Sequence, residues 1–151
     1  MPSFMRKIHI IGRCAMIYRA QQLKETGLSG VHLSYILTLC RHPGMSQEQI
    51  ARHIYINKSN VTRHLAQLQQ NGFVERKQNE NDRREQLVYP TQKAYDVLPE
   101  VTAVIRNWNS YLTEDFSDEE MEQFNAMLDR ITRRATCAVN KEFEDGDLHG
   151  A

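Results

Sequence analysis

The 151-residue chain is poor in the residues that break or brace a fold, with 7 Gly, 4 Pro and 3 Cys. So little Gly and Pro argues against a disordered chain, and no repeat or low-complexity segment is visible. Cys14, Cys40 and Cys137 are odd in number and far apart. That spacing excludes a disulfide framework and suits a reducing compartment. No run of about 18 apolar residues occurs, so no membrane span is expected. Met1 to Arg13 has charges, only a short apolar run and no cleavage site, so it is not read as a secretory signal, and the expected location is the cytoplasm. Net charge is missing as well, since 19 Lys and Arg balance 19 Asp and Glu. A zero balance counts against a polyanionic partner, but the distribution is uneven. Residues 1–45 carry +5, residues 46–93 carry +3 and residues 94–151 carry −8. Such asymmetry fits a polyanion footprint on one side of the molecule, or a solvated acidic tail beside an ordinary domain.

A local absence is more informative. From Lys58 to Gln70 there is no Asp or Glu. Asn57 is a good N-cap for a helix over this stretch, and Asn71-Gly72 a good stop. Val61, Leu65 and Leu68 form an apolar stripe at helical spacing. Lys58, Ser59, Asn60, Thr62, Arg63 and Gln67 lie off it, and each can donate hydrogen bonds. A helix exposing one side is seldom free of acid over its whole length. Double-stranded DNA is the polyanion that best explains the bias, because its major groove admits a helix whose short polar and Arg side chains reach base edges. An earlier helix is expected over Ser46 to Ile54, where Ser46 and Gln49 form a capping box. Beyond Gly72 the period changes. Phe73 to Gln78 and Glu85 to Pro90 read as two strands around the polar run Asn79 to Arg84. Arg83 and Arg84 at the hairpin tip would reach phosphates or a narrow minor groove. Helix, turn, helix and basic hairpin make a winged helix.

At these residues the chain resembles the multiple-antibiotic-resistance regulator (MarR) family of bacterial transcription factors. The matching run is Asn57-Lys58-Ser59-Asn60-Val61-Thr62-Arg63, then Leu65, Leu68, Gly72-Phe73-Val74, then Asp82-Arg83-Arg84 and Thr91. Asp82 and Arg84 fit the family's wing signature of Asp, any residue, Arg. The resemblance implies that Arg84 enters the minor groove and Asp82 helps hold the wing. The chain departs from the pattern at Pro90, where Leu is common, and at Ala94, where Gly is common.

The flanking segments read as helices. Phe4 to Thr26 is expected to be one long helix, with apolar residues spread around it and burial on more than one side. His32 to Arg41 is a second, with Leu33, Ile36, Leu37 and Cys40 inward, and His42-Pro43-Gly44 stops it. From Thr91 a helical pattern runs to Leu112. It keeps its phase across Pro99, so a kink rather than an end is expected there. Ser117 and Glu120 form another capping box, opening a last helix from Asp118 to about Glu142, with Glu144 to Ala151 as a frayed tail. The expected fold is therefore mainly α with a small β-wing: an N-terminal dimerisation helix (1–30), a winged helix-turn-helix (31–93) and C-terminal dimerisation helices (94–151). The outer helices carry more apolar surface than the winged helix could cover, so a homodimer is expected. Two-fold symmetry would set two reading helices about 10 bp apart on a palindromic site.

The resulting expectation is a ligand-responsive DNA-binding repressor, not an enzyme, with no cofactor. The family's usual control point is an effector pocket for small aromatic acids, and Arg13, Tyr18, Tyr35 and Arg41 are its candidates. Cys14 is expected to be a buried structural thiol. One branch of the family senses peroxide through a helix-1 Cys with tyrosines, but its register differs. The rival reading is a thiol-dependent enzyme or redox sensor with Cys14 as nucleophile and a His as base. No nucleophile elbow, Gly-rich phosphate loop or paired-carboxylate motif supports it. His9, His32, His42, His53, His64 and His149 lack zinc-ligand spacing, and residues 91–115, where the zinc-sensing branch of the family draws its ligands, hold no His.

Overall fold

Hydrophobic spacing and local caps set the element order in the computed structural model, which describes residues 3–147 and, within them, the side chains up to residue 140. Helix α1 (Phe4–Gln22) is followed by a 3₁₀ turn (Lys24–Thr26) and α2 (His32–Arg41). Then come β1 (Met45–Ser46), α3 (Gln47–Ile54), α4 (Lys58–Gln70), β2 (Val74–Gln78), β3 (Gln86–Pro90), α5 (Gln92–Thr113) and α6 (Asp118–Asp147). The expectation of a mainly helical winged helix-turn-helix is met. The chain divides into two compact units, Met1–Asn109 and Ser110–Ala151.

In the first unit the core is built on α2, α4 and the sheet. Leu33, Tyr35, Ile36 and Leu39 of α2 are fully buried, as are Val61, Leu65 and Leu68 of α4. Ile50, Phe73, Val74, Val88, Ala94 and Val101 close around them. The sheet has the order β1-β3-β2 and is antiparallel throughout. β2 and β3 pair from Val74↔Pro90 to Gln78↔Gln86. The small strand β1 was not foreseen. Two residues carry no period of their own, and they become a strand only because Met45 and Ser46 pair with Val88 and Leu87. Gly72, at φ +78°, supplies the left-handed stop that α4 needs. Gly30 has a different reason. A Cβ there would sit 2.6 Å from the carbonyl oxygen of Met16, so only Gly lets this loop approach α1.

Helix α1 differs from expectation twice. Its α-helical part ends at Gln22, because the amide and hydroxyl of Thr26 both donate to the Leu23 carbonyl and tighten the last turn into 3₁₀. It is also not covered on several sides. Ala15 is the one buried residue of the helix, while Phe4, Ile8, Ile10, Ile11, Met16 and Ile17 are exposed in a single copy. α5 runs through Pro99 without ending.

In the second unit, Ser117 and Glu120 form the expected capping box: the Ser117 amide donates to the Glu120 carboxylate and the Glu120 amide to the Ser117 hydroxyl. α6 continues to Asp147, beyond the expected stop near Glu142. Phe124, Met127, Ile131 and Val139 are exposed along it. The tail from residue 148, with His149, lies outside the described residues. Among the described residues, no helix is long and apolar enough to cross a membrane.

Candidate nucleic-acid interface

Two caps set the angle between α3 and α4. The Ser46 amide donates to the Gln49 side chain, and the Gln49 amide donates back to the Ser46 hydroxyl at 3.2 Å. Asn57 caps α4, its side-chain oxygen accepting from the Asn60 amide at 2.9 Å and from the Ser59 hydroxyl at 2.8 Å. Between the helices stands Tyr55 in the left-handed region (φ 55°, ψ 45°), an uncommon place for a residue with a Cβ. Its amide donates to the Ala51 carbonyl and so closes α3.

The polar side of α4 divides by what each group already holds. Lys58, Ser59, Thr62, Arg63 and Gln67 are exposed and Asn60 half-exposed. Thr62 is tied down: its hydroxyl donates to the Lys58 carbonyl and accepts from the Gln47 side chain at 2.7 Å. Ser59 is occupied by the cap. Arg63 leans on the Asn60 side chain at 3.2 Å and, among the described residues, forms no ion pair. Gln47 was missed in the sequence, since nothing local marks a residue fifteen positions away as a brace for Thr62.

The wing is braced by its own polar residues. The Asn79 amide donates to the Glu85 carbonyl, and its side-chain amide donates to the Glu85 carboxylate at 2.7 Å. Asp82 accepts from the Arg84 amide at 2.9 Å, which folds the tip as an Asx turn. Gln78 donates to the Arg83 carbonyl at 2.8 Å. Asp82 is thus spent on backbone, Glu85 on Asn79, and among the described residues the exposed side chains of Arg83 and Arg84 make no ion pair. Exposed guanidiniums on a braced loop suit phosphate or groove contact. Asn79-Glu80-Asn81-Asp82 carried the Asx-turn signal for this bracing.

Behind α4 lies a polar layer that the sequence did not suggest. His32 and Tyr35 of α2 are buried, and the His64 ring stands 5.5 Å from His32, edge to face, and 5.7 Å from Tyr35. His32 Nε2, Tyr35 Oη and His64 Nδ1 are buried with no hydrogen-bond partner. Burial holds the His32 imidazole below its ordinary pKa, Gln67 beside it acts the other way, and His64 lowers it further. Burial raises the Tyr35 phenol, against the opposing charge of Arg63.

Of the four effector candidates, one lines a cleft among the described residues. Arg41 lines a cleft of about 320 Å³ with Ser34, Leu37, Thr38, His42, His53 and Ile54. Arg13 is exposed on α1, Tyr18 stacks on Trp108 at 4.9 Å, and Tyr35 is wholly buried. Cys14 is exposed, which corrects the expectation of a buried thiol: it lies on the uncovered part of α1. Cys40 is half-buried, and burial pushes its thiol pKa up.

Comparison with known proteins gives a consistent picture. The MarR family model matches residues 28–86. The uncharacterized HTH-type transcriptional regulator YwoH of Bacillus subtilis is 31% identical over 124 residues, covering 80% of this chain and 90% of that protein. The HTH-type transcriptional regulator BilQ of Clostridioides difficile is 25% identical over 126 residues, covering 83% and 84%. Among solved structures, a putative MarR family transcriptional regulator from Listeria monocytogenes, complexed with 26mer DNA, superposes with a TM-score of 0.84 at 22% identity, covering 91% of this chain and 92% of that one.

Proposed function

The chain belongs to the MarR family of transcriptional regulators, and on that premise we propose that it reads a palindromic DNA site as a homodimer and represses transcription from it. The observation that carries this reading is the acid-free outer side of α4 beside a wing tip whose Arg83 and Arg84 form no ion pair among the described residues. In this reading Lys58, Asn60, Arg63 and Gln67 face the major groove, while Ser59 and Thr62 shape the helix start and add backbone contacts. Arg84 enters the minor groove, Arg83 meets phosphate, and Asp82 holds the tip. The apolar side chains left uncovered on α1 and on α6 support a second copy as their cover. A small acid bound at Arg41 or elsewhere would release the DNA by favouring a different spacing of the two reading helices, a coupling typically worth about 1–3 kcal/mol.

Selection of duplexes from a random pool is expected to return a palindrome with half-sites about one turn apart. Replacing Arg84 with Ala should weaken binding to that duplex and reduce the slope of log affinity against log salt by about 1. An unchanged affinity and slope would remove Arg84 from the interface.

A further inference from the structure

Buried polar groups that meet no partner are uncommon, and three of them converge behind the reading helix. The local geometry fixes how they can take up protons. His32 Nδ1 accepts from the Ser29 amide at 3.1 Å, while the His32 amide donates to the Ser29 carbonyl at 3.0 Å. With Nδ1 an acceptor, the neutral ring carries its proton on Nε2. A second proton must go onto Nδ1, where it meets the Ser29 N–H donor to donor. Protonation therefore breaks the tie between the loop and the first turn of α2, and leaves a cation in a buried place.

Of the neighbours only the Gln67 side chain favours that cation, and burial outweighs it. From α2 the layer holds His32 and Tyr35; from α4 it holds Arg63, His64 and Gln67. None is a carboxylate, and the charges acting on His32 and Tyr35 come from His64 and Arg63. Two of these neighbours, Arg63 and Gln67, also stand on the proposed DNA side.

We propose that His32 and Tyr35 are positioning residues for the reading helix: through His64 they fix where α4 rests against α2, and they do so only while the His32 imidazole is neutral, so that acid loosens α4 and weakens binding to the preferred duplex. This rests on the DNA-reading role proposed above. The sign separates it from ordinary electrostatics. Positive charge gained near phosphates in acid would strengthen binding instead.

The test uses the full chain, the duplex it selects from a random pool, and a random-sequence duplex, with affinities measured from about pH 8 to about 5.5. Affinity for the selected duplex is expected to fall below about pH 6.5, by up to about tenfold per pH unit for one linked proton. Preference over the random duplex should narrow while the salt slope stays constant, because the phosphate contacts are unchanged. In His32→Asn the amide oxygen can still accept from Ser29 and does not titrate, so the profile should flatten, while the preference for the selected duplex at neutral pH falls with loss of the ring beside His64. Tyr35→Phe keeps the ring beside His64 and removes only the unpartnered hydroxyl, so the preference should be kept, whereas Tyr35→Leu should lower it at neutral pH. A wild-type profile that is flat or rises in acid, with the helical signal intact, overturns the proposal, as does a His32→Asn profile like wild type. Should His32→Asn fail to fold, His32→Gln, which also offers an amide oxygen and does not titrate, must flatten the profile instead. Absence of binding to any duplex at neutral pH would overturn the DNA-reading role itself, whereas neutral-pH binding with a flat profile overturns this inference alone.

Discussion

Single residues in this chain are placed by what they can donate or accept, and His32 is the most exacting case. Its imidazole is held neutral by burial and by His64. Because its folded pKa lies below the ordinary 6.5, the unfolded chain binds a proton more readily in mildly acid solution. Stability is therefore full above about pH 6.5 and declines as pH falls below it, before the carboxylates begin to titrate. The urea midpoint of the wild-type protein should drop between about pH 6.5 and 5.5, and His32→Asn should remove that drop. An identical decline in both proteins would mean that other groups cause it. Asp82 shows the same economy. It was expected to hold the wing, and it accepts the Arg84 amide. The family resemblance implied that role, and a two-residue Asx turn is its local geometry. The His32–His64 contact was not visible, since 32 positions separate the partners and no local pattern joins them.

At the level of elements, the helix starts were legible and some of the ends were not. Ser46 with Gln49, Asn57 with Asn60, and Ser117 with Glu120 are cap pairs three residues apart, and all three form. Their signals are local, so a single sequence carries them. The pairing of β1 depends on a strand brought in by the fold, whereas the 3₁₀ finish after α1 is local to Leu23 and Thr26. Tyr55 is a further case: helical spacing says nothing about a left-handed residue that is not Gly. Its side chain is 54% exposed, so little packing compensates the backbone strain. Tyr55→Gly should stabilise the protein by about 1 kcal/mol through relief of that strain, less the entropy Gly adds to the unfolded chain. A lower melting temperature in this variant would show that the Tyr55 ring contributes more than its exposure suggests.

Over the whole molecule, the largest gap between expectation and observation is α1. Its apolar residues were expected to be buried, and in one copy they are not. A sequence records that a surface is apolar but not whether the same chain or another covers it. Ile17, 59% exposed on α1, tests the proposed cover. Ile17→Glu should shift the protein toward monomer in sedimentation and make its melting temperature more dependent on concentration. Operator affinity should fall with it, because each half-site then binds alone. A variant that stays dimeric and keeps its affinity would place the interface elsewhere.

Ser46 holds two positions at once, as the end of β1 opposite Leu87 and as the cap of α3. The hairpin is thereby sewn to the first turn of the helix that precedes the reader, with no intervening linker. In the proposed reading a tug on the arginine-tipped loop would travel along β3 into that seam and tilt α3, so that hairpin and reader would engage a duplex as a single stiff jaw and not as two independent fingers.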